Sequence, residues 1–252
     1  MSDATGLGPQ LERRRPAASG YPVLVIDDHE LFSTSLTMAL RREGFDAHTL
    51  PVADVHDFLG REAVGPTGLV LLDLDLGQDA EGHYVNGADL VSRLRTLGWK
   101  VLVVSGGTDR RGVAAAIASG AIGSVPKSRS LDVLVGTVKT AASGDPVMTD
   151  AEHQGWLERH RRYLAQEQDL SRRLSRLSPR ELEVLELLTE GMRAAAIAEH
   201  FVVSMPTVRT QIRSILAKLA VGSQLEAVAL FRQQAETVDR SGRRVGSQHR
   251  HE

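Results

Sequence analysis

Between residues 21 and 144, short apolar runs alternate with longer stretches whose apolar positions recur every three or four residues. The runs VLVI (23–26), FDAHTL (45–50), LVLLDL (69–74), KVLVVSG (100–106) and IGSVPK (122–127) predict strands. The amphipathic stretches ELFSTSLTMALRREG (30–44), VADVHDFLGR (52–61), NGADLVSRLRTLG (86–98), DRRGVAAAIASG (109–120) and SLDVLVGTVKTAASG (130–144) predict helices. Strands that are nearly all apolar and alternate with helices indicate a parallel sheet covered on both faces. The expected fold of this half is α/β, a doubly wound parallel five-stranded sheet.

The pattern changes after Gly144. In TDAEHQGWLERHRRYLAQEQDLSRRLSRL, residues Trp156, Tyr163, Leu170 and Leu177 recur every seven positions, flanked by Leu157, Leu164 and Leu174. This predicts one amphipathic helix of about 25 residues. It reads either as a linker that packs on a domain or as a dimer-forming helix, and His153, His160 and Glu167 interrupt its seam. Four shorter helices follow. LSPRELEVLELLTEG opens with Ser178, Pro179 and Glu181 as N-cap, first-turn proline and reciprocal glutamate, and closes at Gly191. RAAAIAEHF is the second. VVSMPTVRTQIRSILAKLA starts at Ser204 and keeps Val208, Ile212, Ile215, Leu216 and Leu219 on one face, with Thr207, Arg209, Thr210, Gln211, Arg213 and Ser214 opposite. The fourth starts at Ser223. Short helices with a basic third member make a small all-α helix-turn-helix domain, a form that lays its recognition helix on double-stranded DNA.

Charge separates the two halves. Residues 21–150 carry 17 Asp/Glu against 11 Lys/Arg, whereas 151–177 carry 6 Arg against 4 acids and 178–235 balance at 6 each. The helical domain therefore cannot hold DNA by bulk charge, and a second copy has to supply affinity. There is no cysteine, which excludes disulfides and thiolate metal sites and fits a reducing, cytoplasmic setting. No run approaches about 18 apolar residues, and the arginines near the start precede no apolar segment, so neither a membrane span nor a secretory leader is expected. Residues 1–20 and 236–252 read as disordered.

The candidate chemistry lies at strand ends. Asp27 and Asp28 follow the first predicted strand, Asp73 and Asp75 end the third, Ser105 ends the fourth and Lys127 ends the fifth. Ligands bind outside the carboxyl ends of such strands. Clustered carboxylates push one another's pKa up unless a cation intervenes. A hard divalent ion, Mg²⁺, suits them, because it accepts one or two carboxylates and fills its sphere with water and phosphate oxygens. A lysine and a hydroxyl can take the remaining phosphoryl oxygens. The set suits phosphoryl transfer onto a carboxylate, with Asp73 as nucleophile.

These pieces, the Asp pair in VIDDHELF, LLDLDLG, VVSG and GAIGSVPKS, resemble the receiver domain of bacterial two-component response regulators in order and spacing. The resemblance implies a flavodoxin-like fold, Asp73 as phosphoacceptor, Asp28 as direct Mg²⁺ ligand and Asp27 as its water-mediated neighbour. It implies further that Asp75 offers its backbone carbonyl to the metal, and that Ser105 and Lys127 bind the phosphoryl group. A sensor histidine kinase is then the expected phosphodonor. Three departures stand out: Gly77 where proline is usual, a loop from 77 to 87 about six residues longer than usual, and Ser124 at the position of the switch aromatic. The run 177–235 is similar to LuxR-type DNA-binding domains of NarL/FixJ regulators, which implies that Arg209, Thr210 and Arg213 reach the major groove and that Ser204 and Thr207 bind backbone phosphate. The short second helix lacks the usual Ser/Thr cap.

The expected organisation is a receiver over 21–146, a helical linker over 147–176 and a helix-turn-helix over 177–235, binding DNA as a homodimer. One alternative is a DNA-binding regulator independent of phosphorylation, its receiver serving dimerisation or ligand sensing. A distant alternative is an aspartyl-phosphate phosphatase, because Asp73-x-Asp75-x-Gly77 resembles the haloacid-dehalogenase nucleophile motif; that motif normally follows a first strand, whereas here it ends the third. His29 receives no role.

Overall fold

The structure, a computed structural model, describes residues 20–60, 68–78, 82, 84–106 and 109–240, with backbone alone for 236–240. The expectations for residues 1–19, for positions 79–81 and 83 of the long loop and for 241–252 lie outside the described residues. The chain divides into two compact units, Met1–Gln154 and Gly155–Glu252.

The first unit is built on strands β1 (Pro22–Ile26), β2 (Asp46–Thr49) and β3 (Leu69–Leu72), a hairpin of β4 (Asp75–Gln78) and β5 (Tyr84–Asn86), then β6 (Lys100–Ser105) and β7 (Gly123–Pro126). Helices α1 (Glu30–Arg42), α2 (Val55–Gly60), α3 (Gly87–Thr96), α4 (Arg110–Ala118) and α5 (Leu131–Ser143) connect them. The main sheet runs in the order β2-β1-β3-β6-β7, all neighbours parallel. The apolar runs become its buried strands: every residue of β3 is buried. Val23, Val25, Leu69, Leu71, Leu102 and Val104 form a core with Leu36 and Leu40 of α1 and Leu134 and Val138 of α5. The register sets the strand ends level: Ile26 pairs with Leu72, Leu72 with Val103 and Ser105 with Pro126. The next residues on β1, β3 and β7 therefore meet at one edge, beside Ser105 at the end of β6.

Three elements differ from the sequence reading. The helix expected over 52–61 opens as a 3₁₀ turn at Val52–Asp54 after Pro51, then continues as α2. The long loop after Asp75 holds an antiparallel hairpin instead of irregular chain, because Leu76 and Val85 point inward while Asp75 and Tyr84 point out. This period-2 pattern is too short to stand out in the sequence. In the second unit the last helix runs to Arg240, past the limit expected at 235, since no breaker occurs before Gly242.

Helix α6 (Asp150–Leu174) bridges the boundary between units and buries none of its residues. Leu174 and Leu177 join the second core. That core lies among α7 (Pro179–Thr189), α8 (Ala194–His200), α9 (Met205–Leu219) and α10 (Gln224–Arg240), with Val184, Leu185, Ile197, Val208, Ile212, Ile215 and Leu219 buried. Among the described residues no single helix is long and apolar enough to cross a membrane.

Candidate phosphoacceptor and nucleic-acid sites

Asp73 leaves β3 with its amide still donating to Ile26 O at 2.9 Å, so the sheet fixes its backbone. It is 4% exposed. One carboxylate oxygen, Oδ1, accepts from the Leu74 amide at 2.7 Å, and Oδ2 lies 2.6 Å from Lys127 Nζ. The same amine lies 2.7 Å from Asp27 Oδ2. Lys127 is positioned by its own amide, which donates to Ser105 O at 2.7 Å, and by the Phe32 ring, 5.2 Å from its amine. Burial pushes the Asp73 carboxyl up from its ordinary pKa and the Asp27 charge adds to this; Lys127 and the Leu74 amide pull it back only in part. The Lys127 amine is disfavoured by burial, but hydrogen bonds to Asp27 and Asp73 outweigh this and raise its pKa.

Asp27, Asp28, His29 and Asp73 place one donor atom each within 4.8 Å of one another. The Asp27 Oδ1 atom accepts the His29 amide at 2.8 Å, and His29 Nδ1 lies 2.6 Å from Asp28 Oδ1. Asp28 Oδ2 faces Gly77: a Cβ on that glycine, which holds φ +68, would sit 3.7 Å away. The three carboxylates are a hard oxygen donor set, and they fit Mg²⁺. Asp27 and Asp28 open onto a cavity of about 540 Å³, lined also by Ser33, Thr49 and Gly77.

The structure thus brings Asp27, Asp28, Asp73 and Lys127 together, with Ser105 buried beside Lys127. The Asp75 carboxylate is not in the group. It turns out to the hairpin, where Oδ1 accepts the Tyr84 hydroxyl at 2.7 Å. Ser124 pairs with Val103 inside the sheet and is half-buried. Sequence reasoning missed His29 and Tyr84. The first had a signal, its place directly after an Asp pair; the second had none.

In the helical unit, Ser204 caps α9 by accepting from the Thr207 amide at 3.4 Å, and its hydroxyl meets that of Thr207 at 2.9 Å. Thr207, Arg209, Thr210 and Arg213 are exposed on one side, while Val208, Ile212 and Ile215 are buried on the other. Two residues read as part of the polar face turn inward. Gln211 has a buried Oε1 with no partner among the described residues, and Ser214 donates to Glu181 Oε1 at 2.6 Å. Glu181 does more than cap α7. Its Oε2 also takes the Ser178 amide at 2.7 Å and the Lys218 amine at 2.5 Å, which fastens α7 to α9. Burial alone would push this carboxyl up; the bonds from Lys218, Ser214 and Ser178 outweigh it and hold the pKa at about 2. The Arg180 guanidinium stacks 3.2 Å from the Phe201 ring centre. No side chain caps α8 at Arg193, as its sequence leads one to expect.

Known proteins resemble the chain in both halves. Residues 23–139 match the response regulator receiver domain, and residues 175–231 match the bacterial regulatory proteins of the luxR family. The nitrate/nitrite response regulator protein NarP of Escherichia coli (strain K12) is 29% identical over 221 residues, covering 87% of this chain and 98% of NarP. The transcriptional regulatory protein DegU of Brevibacillus brevis is 29% identical over 227 residues, covering 82% and 90%. Full-length FixJ from B. japonicum aligns with a TM-score of 0.40 at 23% identity, over 86% of this chain and 98% of FixJ.

Proposed function

Since the chain belongs to the NarL/FixJ family of response regulators, a receiver domain followed by a LuxR-type DNA-binding domain, we propose that a sensor histidine kinase phosphorylates it on Asp73 in a Mg²⁺-dependent reaction. The observation that carries this reading is the buried Asp73 carboxylate held between Lys127 and the Leu74 amide, beside Asp27 and Asp28. A carboxylate oxygen of Asp73 attacks phosphorus, the bond to the donor's imidazole nitrogen breaks, and an acyl phosphate forms while the imidazole leaves with a proton. Raised basicity from burial favours the carboxylate as nucleophile. The Lys127 amine, already in contact, neutralises the phosphoryl oxygens, and the Ser105 hydroxyl binds another of them. Asp27, Asp28 and Asp73, with the backbone carbonyl of Asp75, would hold Mg²⁺, which supplies charge neutralisation at the phosphoryl group.

The output is DNA binding as a homodimer through α9. Arg209, Thr210 and Arg213 read the major groove, and Ser204 and Thr207 meet backbone phosphate at the helix N-terminus. Exposure of these side chains on the face opposite the core supports this. Acetyl phosphate added with and without Mg²⁺, followed by intact mass, tests the receiver reading. One phosphoryl group should appear only with Mg²⁺ and should vanish in Asp73→Asn. A mass gain that persists in that variant refutes it.

A further inference from the structure

Asp73 and Asp75 follow the same buried strand, yet only one of the two carboxylates joins the acid cluster. Asp27, Asp28 and Asp73 share a donor group, together with His29, while Asp75, two residues beyond Asp73, is excluded. The reason lies in the inserted hairpin. The Tyr84 hydroxyl donates to Asp75 Oδ1 at 2.7 Å across nine residues of sequence.

The clamp is built rather than incidental. Asp75 pairs with Asn86, and Gln78 with Tyr84, in an antiparallel ladder. Leu76 and Val85 bury themselves beneath it. Its base is locked to the phosphoacceptor: the Gly87 amide donates to Leu74 O at 2.9 Å, and a Cβ at Gly87 would stand 1.9 Å from Asp73 O, so only glycine fits. The Asn86 side chain caps α3 by accepting from the Ala88 amide at 3.0 Å. The ladder therefore keeps the backbones of Asp75 and Tyr84 facing each other, and the pair parts by a turn of a side chain.

We propose that Tyr84 is a positioning residue that holds the Asp75 carboxylate out of the cation site, so that Asp75 presents its main chain there and the metal keeps a place for a phosphoryl oxygen. This rests on the reading of Asp73 as phosphoacceptor. A fourth carboxylate in the sphere would bind the cation more tightly. It would also displace water or phosphoryl oxygen and repel the incoming phosphoryl charge. The hydroxyl satisfies the carboxylate elsewhere and removes that competition.

The test uses the full chain and two variants, Tyr84→Phe and Tyr84→Phe/Asp75→Asn. Tyr84 is 44% exposed, so losing one oxygen leaves the fold intact, and circular dichroism verifies this. Mn²⁺ binding is read by loss of the free-ion EPR signal, and labelling by acetyl phosphate is read by intact mass with Mg²⁺. In Tyr84→Phe, Mn²⁺ should bind about tenfold tighter, because affinity for such cations rises with the number of charged ligands, and labelling should slow. The second substitution should reverse both changes. Unchanged or weaker Mn²⁺ binding in Tyr84→Phe, or tighter binding that persists in the double variant, overturns the proposal. A native chain that takes up Mn²⁺ but no phosphoryl group, with the Mn²⁺ series as expected, would sink the phosphoacceptor role and leave the clamp standing. A native chain that binds no Mn²⁺ overturns both.

Discussion

Replacing Glu181 by Gln removes the charge that fastens α7 to α9. The carboxylate accepts from Lys218 at 2.5 Å, Ser214 at 2.6 Å and the Ser178 amide at 2.7 Å. An amide has one accepting oxygen, so its NH₂ must face one of these donors. The depression of the native Glu181 pKa from 4.5 to about 2 corresponds to a linkage energy of roughly 3 kcal/mol. Lys218 is about one-third exposed and solvent screens it, which brings the expected loss to about 2 kcal/mol. The sign follows from the depressed pKa: the contribution is complete above pH 4.5 and disappears as pH falls through about 2. Calorimetry of the full chain should show the transition of the helical unit lowered by about 8–16 °C at neutral pH in Glu181→Gln. Hydrogen exchange in α7 and α9 should rise with it, and the difference should shrink as the solution is acidified below pH 4.5. A variant within about 0.5 kcal/mol of the native chain, or a penalty that does not change with pH, would refute the assigned role of the charge.

Arg209→Ala and Arg213→Ala should each weaken binding to a specific promoter site by about 1–3 kcal/mol in a fluorescence anisotropy titration, with the melting temperature nearly unchanged. A base contact will relax preference at one position, whereas a phosphate contact will lower the salt slope; an undiminished affinity in the double variant excludes this face. Val202, at the turn before α9, is a β-branched residue at φ +53 and is 91% exposed. It carries left-handed strain with no burial in return, so Val202→Asn should raise stability by about 1 kcal/mol in thermal melts, and a loss would show that the turn needs this side chain.

Local pattern along the chain sets the elements and the chemistry that sits at their ends. Apolar runs such as LVLLDL declare buried strands, and acids or a lysine directly after such runs must fall at the carboxyl edge of a parallel sheet. Asp27, Asp28, Asp73 and Lys127 were legible for that reason. The alternation of apolar and basic residues in α9 likewise fixed which side faces the core and left Arg209 and Arg213 outside. Tertiary structure decided contacts between residues whose local pattern carries no mark. Tyr84 meets Asp75 only because a hairpin of two very short strands closes, and a period of two over so few residues cannot be told from loop. Ser214 and Lys218 lie at the border of the helix face, where a rotation of some tens of degrees separates solvent from a partner, and they turn inward to Glu181 because a buried carboxylate across the interface needs donors. The exclusion of the Asp75 carboxylate from the acid cluster has the same origin: the side chain goes where a partner is fixed by packing, and packing is a property of the folded chain.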